Sequence, residues 1–315
     1  MPSELIRRFA SRISGAQSDP HVAITVLLAG LRKTAGRRAR APQLDRLLKA
    51  RRILEIEFER NVRYDGCIHP IGSSFDNGFR LTLKSGTSSA RIRFTMAHEL
   101  CHTFFYEYVP ELKFRPHEAD PVEEHLCNFG AAELLMPSGS VNKHARNLEV
   151  SLASLEWLAS LFGVSSEAMV VRLRSLELWK CELFIWHRTV DDHFSLDRLI
   201  GGRLLEWRWF DPAIPSRAWE TGKRIVGRTY VQYELSRGSI CVRPVSYEIQ
   251  RKGNSLIALC GPPSLNVGIN KSRPAQLALP SFRNLSVARD QRTVCSGNQQ
   301  ECSESHVAIK IGAPD

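Results

Sequence analysis

"RFTMAHELCHTFFY", residues Arg93 to Tyr106, decides how the chain is read. Phe94, Ala97, Leu100, Cys101 and Phe104 fall on one side of a 3.6-residue period, which predicts a helix with Thr95 as a candidate cap. His98 and His102 lie four residues apart, so both imidazoles leave the same face about one turn apart. Two neutral imidazoles in that arrangement can grip one Zn²⁺ at about 2.0–2.1 Å each. Glu99 sits one residue round from His98, where its carboxylate misses the ion but reaches water beside it. The spacing H-E-x-x-H has a known mechanism: the metal makes water acidic near neutral pH and the carboxylate removes its proton. A five-residue match also arises by chance on core helices, so a third ligand is needed to separate the two readings.

The candidate third ligand lies in "DPVEEHLCNFGAAELLMP", Asp120 to Pro137. Leu126, Phe129, Ala132, Glu133 and Leu134 predict a second helix that begins after Asp120-Pro121 and ends before Pro137. Glu124 and Asn128 share one face. There Glu124 can ligate a metal, while Asn128 accepts a hydrogen bond from the far ring nitrogen of a liganding histidine. Position alone explains Glu123 and Glu124 equally well as acids favoured in a helix's first turn.

"RIRFTMAHELCH" followed by "EEHLCNFGAAELLMP" resembles the ImmA/IrrE family of metallo-endopeptidases. The family's core reads R-F-T-x-A-H-E-x-G-H, then E-x-x-x-N/D, then A-A-x-L-L-M-P, and the match covers roughly residues 45–140. The resemblance implies a zincin-like domain with His98, His102 and Glu124 as metal ligands, Glu99 as the catalytic base and Asn128 as helper. It implies one Zn²⁺ per chain, with Mn²⁺ or another divalent ion as the alternative; Glu123, His125 and His117 are reserve ligands. It further implies a cytoplasmic endopeptidase that cleaves a helix-turn-helix (XRE-type) repressor to release stress-response or mobile-element genes. Two positions depart from the family pattern: Cys101 stands where glycine is usual, and Gly130 where phenylalanine is usual.

The rest of the chain is read around this core as an α+β protein. Residues 1–42 form a basic N-terminal extension with one apolar helix at "HVAITVLLAGLRK", and 43–140 form the metallopeptidase-like domain. In residues 141–180, Leu155, Leu158, Ala159 and Phe162, the turn Gly163-Val164-Ser165 and a helix capped by Ser165 outline a helix-turn-helix. Its second helix offers Arg172 and Arg174 as nucleic-acid contacts, although a helical hairpin that only buttresses the protease has the same outline. Residues 181–263 alternate as strands around one helix at "FSLDRLIGGRLLE", with Lys252-Gly253-Asn254 as a hairpin turn. By domain order within the family this is a candidate GAF-like sensor. From residue 264 the tail is polar and unpatterned, and disorder is expected.

The 315 residues carry a net charge of +10, which points to an acidic partner without naming one. No run of about 18 apolar residues is present, so no membrane span is expected. The eight cysteines form no CxxC pair, a pattern of unpaired thiols rather than disulfide stapling. Two other functions stay open at this level: a DNA-binding regulator on a protease-like scaffold, and an interaction protein with a structural zinc. Nothing in the sequence sets the oligomeric state.

Overall fold

The computed structural model describes residues 4–13, 15, 19–35, 44–72, 75–108, 120–191, 193–201, 207–209, 213–235, 239–265 and 307–310. In chain order the first elements are α1 (Glu4–Ser11), α2 (Pro20–Ala35), α3 (Leu44–Ala50), β1 (Ile53–Glu59), β2 (Gly66–Pro70), β3 (Phe79–Lys84), α4 (Ser89–Tyr108) and α5 (Pro121–Leu135). There follow α6 (Ser138–Ala145), α7 (Leu152–Phe162), α8 (Ser166–Ser175), β4 (Glu182–Arg188), β5 (Phe194–Ile200) and β6 (Trp207–Trp209). The last are α9 (Ala213–Thr221), β7 (Ile225–Leu235), β8 (Ser239–Lys252), β9 (Ser255–Gly261) and β10 (Val307–Lys310). The chain is an α+β protein of two compact units, residues 1–131 with 278–315, and residues 132–277. Among the described residues no helix is long and apolar enough to cross a membrane.

The first unit is built on a four-stranded sheet of order β10-β1-β3-β2. β1 and β3 are parallel, while β10 and β2 run antiparallel to their neighbours. Leu44, Leu47 and Leu48 bury one face of α3, and Ile53 and Ile56 carry that core into β1. The helices of the N-terminal extension, α1 and α2, pack into this unit's core. Ile6, Phe9 and Ala10 of α1 and Ile24 and Leu28 of α2 are buried, and Phe9 stacks on Phe105 with ring centroids 4.3 Å apart. Of the basic stretch at residues 31–52, residues 36–43 lie outside the described residues. Of the tail expected to be disordered, Val307–Lys310 pairs with β1, Ile309 opposite Ile56. Residues 266–306 and 311–315 are likewise outside the described set.

Two local features set α4 and α5. Ser88 accepts a hydrogen bond from the Arg91 amide (3.3 Å), so α4 starts there and not at Thr95, which lies buried within the helix. Asp120 accepts from the Val122 amide (2.8 Å) with Pro121 as the first helical residue, the expected start of α5. The two departures from the family pattern meet where these helices cross. A Cβ placed on Gly130 would lie 2.6 Å from the Cys101 sulfur and 3.1 Å from Ile24 Cγ2. The thiol on α4 therefore occupies the space that a side chain on α5 would need.

In the second unit Ser151 caps α7 and Ser165 caps α8, and Gly163, at φ 63°, ends α7. The helical pair is the one the sequence outlines, but its arginines correct the expected nucleic-acid contacts. Arg172 is buried, forms an ion pair with Glu133 and donates to the Met136 carbonyl (2.9 Å). Arg174 donates to the Cys181 carbonyl (2.8 Å), and Val171 is the large side chain that α8 exposes. Glu133 also accepts from the Ser138 amide (3.2 Å), so the Arg172 pair secures the start of α6.

The second sheet is antiparallel throughout, in the order β5-β4-β9-β8-β7-β6. Ile214 and Ala218 of α9 pack onto Phe184, Trp186, Ile249 and Leu256. Gly253-Asn254 makes the β8–β9 hairpin as expected, with Lys252 opposite Ser255. "FSLDRLI" is strand β5 and not a helix. Its register slips where Ile185 faces Arg198 and Trp186 faces Leu196, so Asp197 is the bulged residue. The bulge puts Leu196 and Leu199 three positions apart, a helical spacing in a strand.

Replacing Gly130 by Ala should destabilise the chain by about 1–3 kcal/mol, the usual cost of overpacking. In a Cys101→Ala background the same change should cost markedly less. Urea unfolding of the four proteins measures this coupling, and additive effects would show that the two positions do not share space.

Candidate metal centre

α4 and α5 bring three donor side chains to one point. His98 Nε2 lies 3.1 Å from Glu124 Oε2, His102 Nε2 lies 3.3 Å from Glu124 Oε1, and the two Nε2 atoms are 3.1 Å apart. Ligands about 2.0–2.1 Å from a tetrahedral ion stand about 3.3–3.4 Å from one another, so these separations fit one small ion between them. All three donor atoms lie within 4.8 Å of each other. The other ring nitrogens are already engaged: His98 Nδ1 meets Asn128 Oδ1 at 3.1 Å, and His102 Nδ1 meets Glu123 Oε1 at 2.8 Å. With each Nδ1 so engaged, both Nε2 atoms face Glu124, and a bound cation would take their lone pairs in place of the protons they share with its carboxylate.

The electrostatics separate two carboxylates of one helical neighbourhood. Hydrogen bonds from His102 and then His98 hold Glu124 well below the usual carboxylate range, keeping it ionised as a hard-ion ligand must be. Glu99 is 6 % exposed, and its burial raises its pKa against the opposing pull of His102 and His98. A carboxylate with raised proton affinity next to, but outside, a donor set has the character of a general base.

The matching sequences bear on this geometry. Residues 71–174 match a peptidase family described as the IrrE N-terminal-like domain. The chain carries an ImmA/IrrE-family domain. No curated protein matches the chain. A solved Mycobacterium tuberculosis transcriptional regulator is 12 % identical over 83 % of this chain and 81 % of its own, with a TM-score of 0.44. A score that low bears on neither fold nor function.

The ImmA/IrrE domain brings His98, His102 and Glu124 together, with Glu99 beside them and Asn128 behind His98. Of the reserve ligands, Glu123 stands behind His102 and does not join the three. His125 is exposed, 5.7 Å between ring centroids from His21, with Phe129 on the same side at 4.9 Å from that ring. His117 lies outside the described residues. Sequence reasoning missed the role of Glu123 as a histidine partner, because a pair of adjacent first-turn acids carries no signal for which one faces which neighbour. Cys127, buried beside His102, was missed as well; its thiol is pushed up to about 11 by burial and stays protonated at neutral pH.

One divalent ion per chain is the expected content of the purified protein. His98→Ala, His102→Ala and Glu124→Ala should each lower it to trace levels, measured by inductively coupled plasma mass spectrometry after dialysis. Full retention in any of the three would remove that residue from the donor set.

Proposed function

We propose that this chain is a metal-dependent endopeptidase acting on a protein substrate, with Zn²⁺ held by His98, His102 and Glu124. The convergence of two imidazole nitrogens and one carboxylate, with a buried acid beside them, is the observation that carries this reading. A bound Zn²⁺ would supply Lewis-acid polarisation of the scissile carbonyl and acidify water at neutral pH. Glu99 takes the proton of the attacking water and hands it to the departing amine, a cycle for which a raised pKa suits it. Asn128 keeps His98 in the tautomer that presents Nε2.

Substrate placement is supported by β2. It is the edge strand of the first sheet, with no further strand beyond it among the described residues. It also lies tight against α4: a Cβ on Gly66 would come within 2.4 Å of Thr95 Cγ2, so glycine there lets strand and helix close up. Tyr106 of α4 reaches the Ile68 carbonyl (3.5 Å). An extended peptide laid along that edge gains main-chain hydrogen bonds whatever its side chains. The resemblance to ImmA/IrrE proteins makes an XRE-type repressor in the cytoplasm the proposed substrate, cleaved to derepress stress-response or mobile-element genes.

Glu99→Gln should keep fold and metal and lose roughly 10²–10⁴-fold in cleavage rate. The test is co-expression with repressors encoded beside the gene, followed by cleavage assays on the purified pair. Cleavage by the Gln variant as fast as by wild type would overturn the mechanism.

A further inference from the structure

The two histidines are held from behind by different chemistry. His98 meets the neutral amide of Asn128, an exposed residue, whereas His102 meets a carboxylate. That carboxylate, Glu123, is 7 % exposed and His102 is 8 % exposed, so the contact is shielded from water. A buried carboxylate is costly unless a hydrogen-bonded partner offsets its desolvation. Glu123 and Glu124 are successive residues, about 100° apart round α5. The first turn of one helix thus sends Glu124 to the donor side of the imidazoles and Glu123 to the far side of His102.

We propose that Glu123 is a positioning residue for the metal: it accepts the Nδ1–H of His102, fixes the tautomer that leaves Nε2 for the ion, and adds a second negative charge to the site. The inference rests on the metal-centre reading above. Its content is separate from that reading, since a three-ligand site needs no carboxylate behind His102. With Glu124 in contact and Glu123 behind, a divalent ion meets two balancing negative charges. A carboxylate also makes the imidazole a stronger donor than an amide does, so His102 is the more firmly held of the two histidines. Asn128 can orient His98 but adds no charge.

The experiment titrates Zn²⁺ into the metal-free full-length chain against a chromophoric chelator, for wild type, Glu123→Gln, Glu123→Ala and Asn128→Ala. Wild type is expected to bind one ion, and Glu123→Ala to bind it about 10–100-fold more weakly, the usual effect of losing such a partner. Glu123→Gln, which keeps an acceptor and loses the charge, should fall between them. Loading with Co²⁺ adds a readout that a merely structural residue would not move: the visible absorption bands of the Glu123 variants should shift, while circular dichroism stays that of wild type. If Glu123→Ala fails to fold, the near-isosteric Gln variant decides by the same affinity and spectrum. Wild-type affinity and an unshifted spectrum in the Glu123 variants would overturn the positioning role alone. Failure of wild type to bind any divalent ion would overturn the metal centre and the positioning role together.

Discussion

The closeness with which α5 approaches α4 governs the site. His98 and His102 are fixed on α4, and Glu123, Glu124 and Asn128 are fixed on α5, so every contact between a histidine and its acid or amide partner is a contact between two helices. Where they pack, Cys101 of α4 fills the space left by Gly130 of α5. A displacement of even about 1 Å in that packing would carry Glu124 out of reach of both Nε2 atoms, because backbone shifts in close-packed interiors are transmitted and not absorbed. α1 and α2 bear on the same region: Phe9 stacks on Phe105 of α4, and Ile24 borders Gly130. The N-terminal helices therefore belong to the support of the site.

Four carboxylates are set apart by their surroundings. Glu124 gains two imidazole partners and stays ionised; Glu99 has burial as its dominant influence and holds its proton more tightly. Glu123 is sheltered behind His102, and Glu133, further along α5's sequence, is committed to Arg172 and the start of α6. On the proposed reading these are distinct tasks for one residue type: ligand, base, orienting group and structural anchor. Only the environment distinguishes them.

How much of this could be read beforehand follows from how local each signal is. The H-E-x-x-H spacing, the Asp120-Pro121 entry and the cap at Ser165 are written within a few residues, and the helices they mark are present. The Gly253-Asn254 hairpin is equally local. Apart from the cap placed at Thr95 where Ser88 serves, what failed was long-range or masked. Arg172 looks like a DNA contact until Glu133 and Met136, from another helix and its end, are seen to enclose it. "FSLDRLI" looks helical because one bulged residue, Asp197, breaks its alternation. The register with Asn128 and the family motif single out Glu124, but no spacing marks Glu123 as the residue behind His102. Cys101 and Gly130 each depart visibly from the family pattern, but only the crossing of the helices shows them as one exchange of volume.

X-ray absorption at the zinc edge of the purified, zinc-loaded full-length chain tests the central claim most directly. The donor set described here predicts a first shell of nitrogen and oxygen at about 2.0–2.2 Å, with the outer-shell scattering of two imidazole rings and no sulfur. Sulfur at about 2.3 Å would mean that Cys127 or Cys101 ligates the ion. That result, or imidazole scattering from fewer than two rings, would contradict the account.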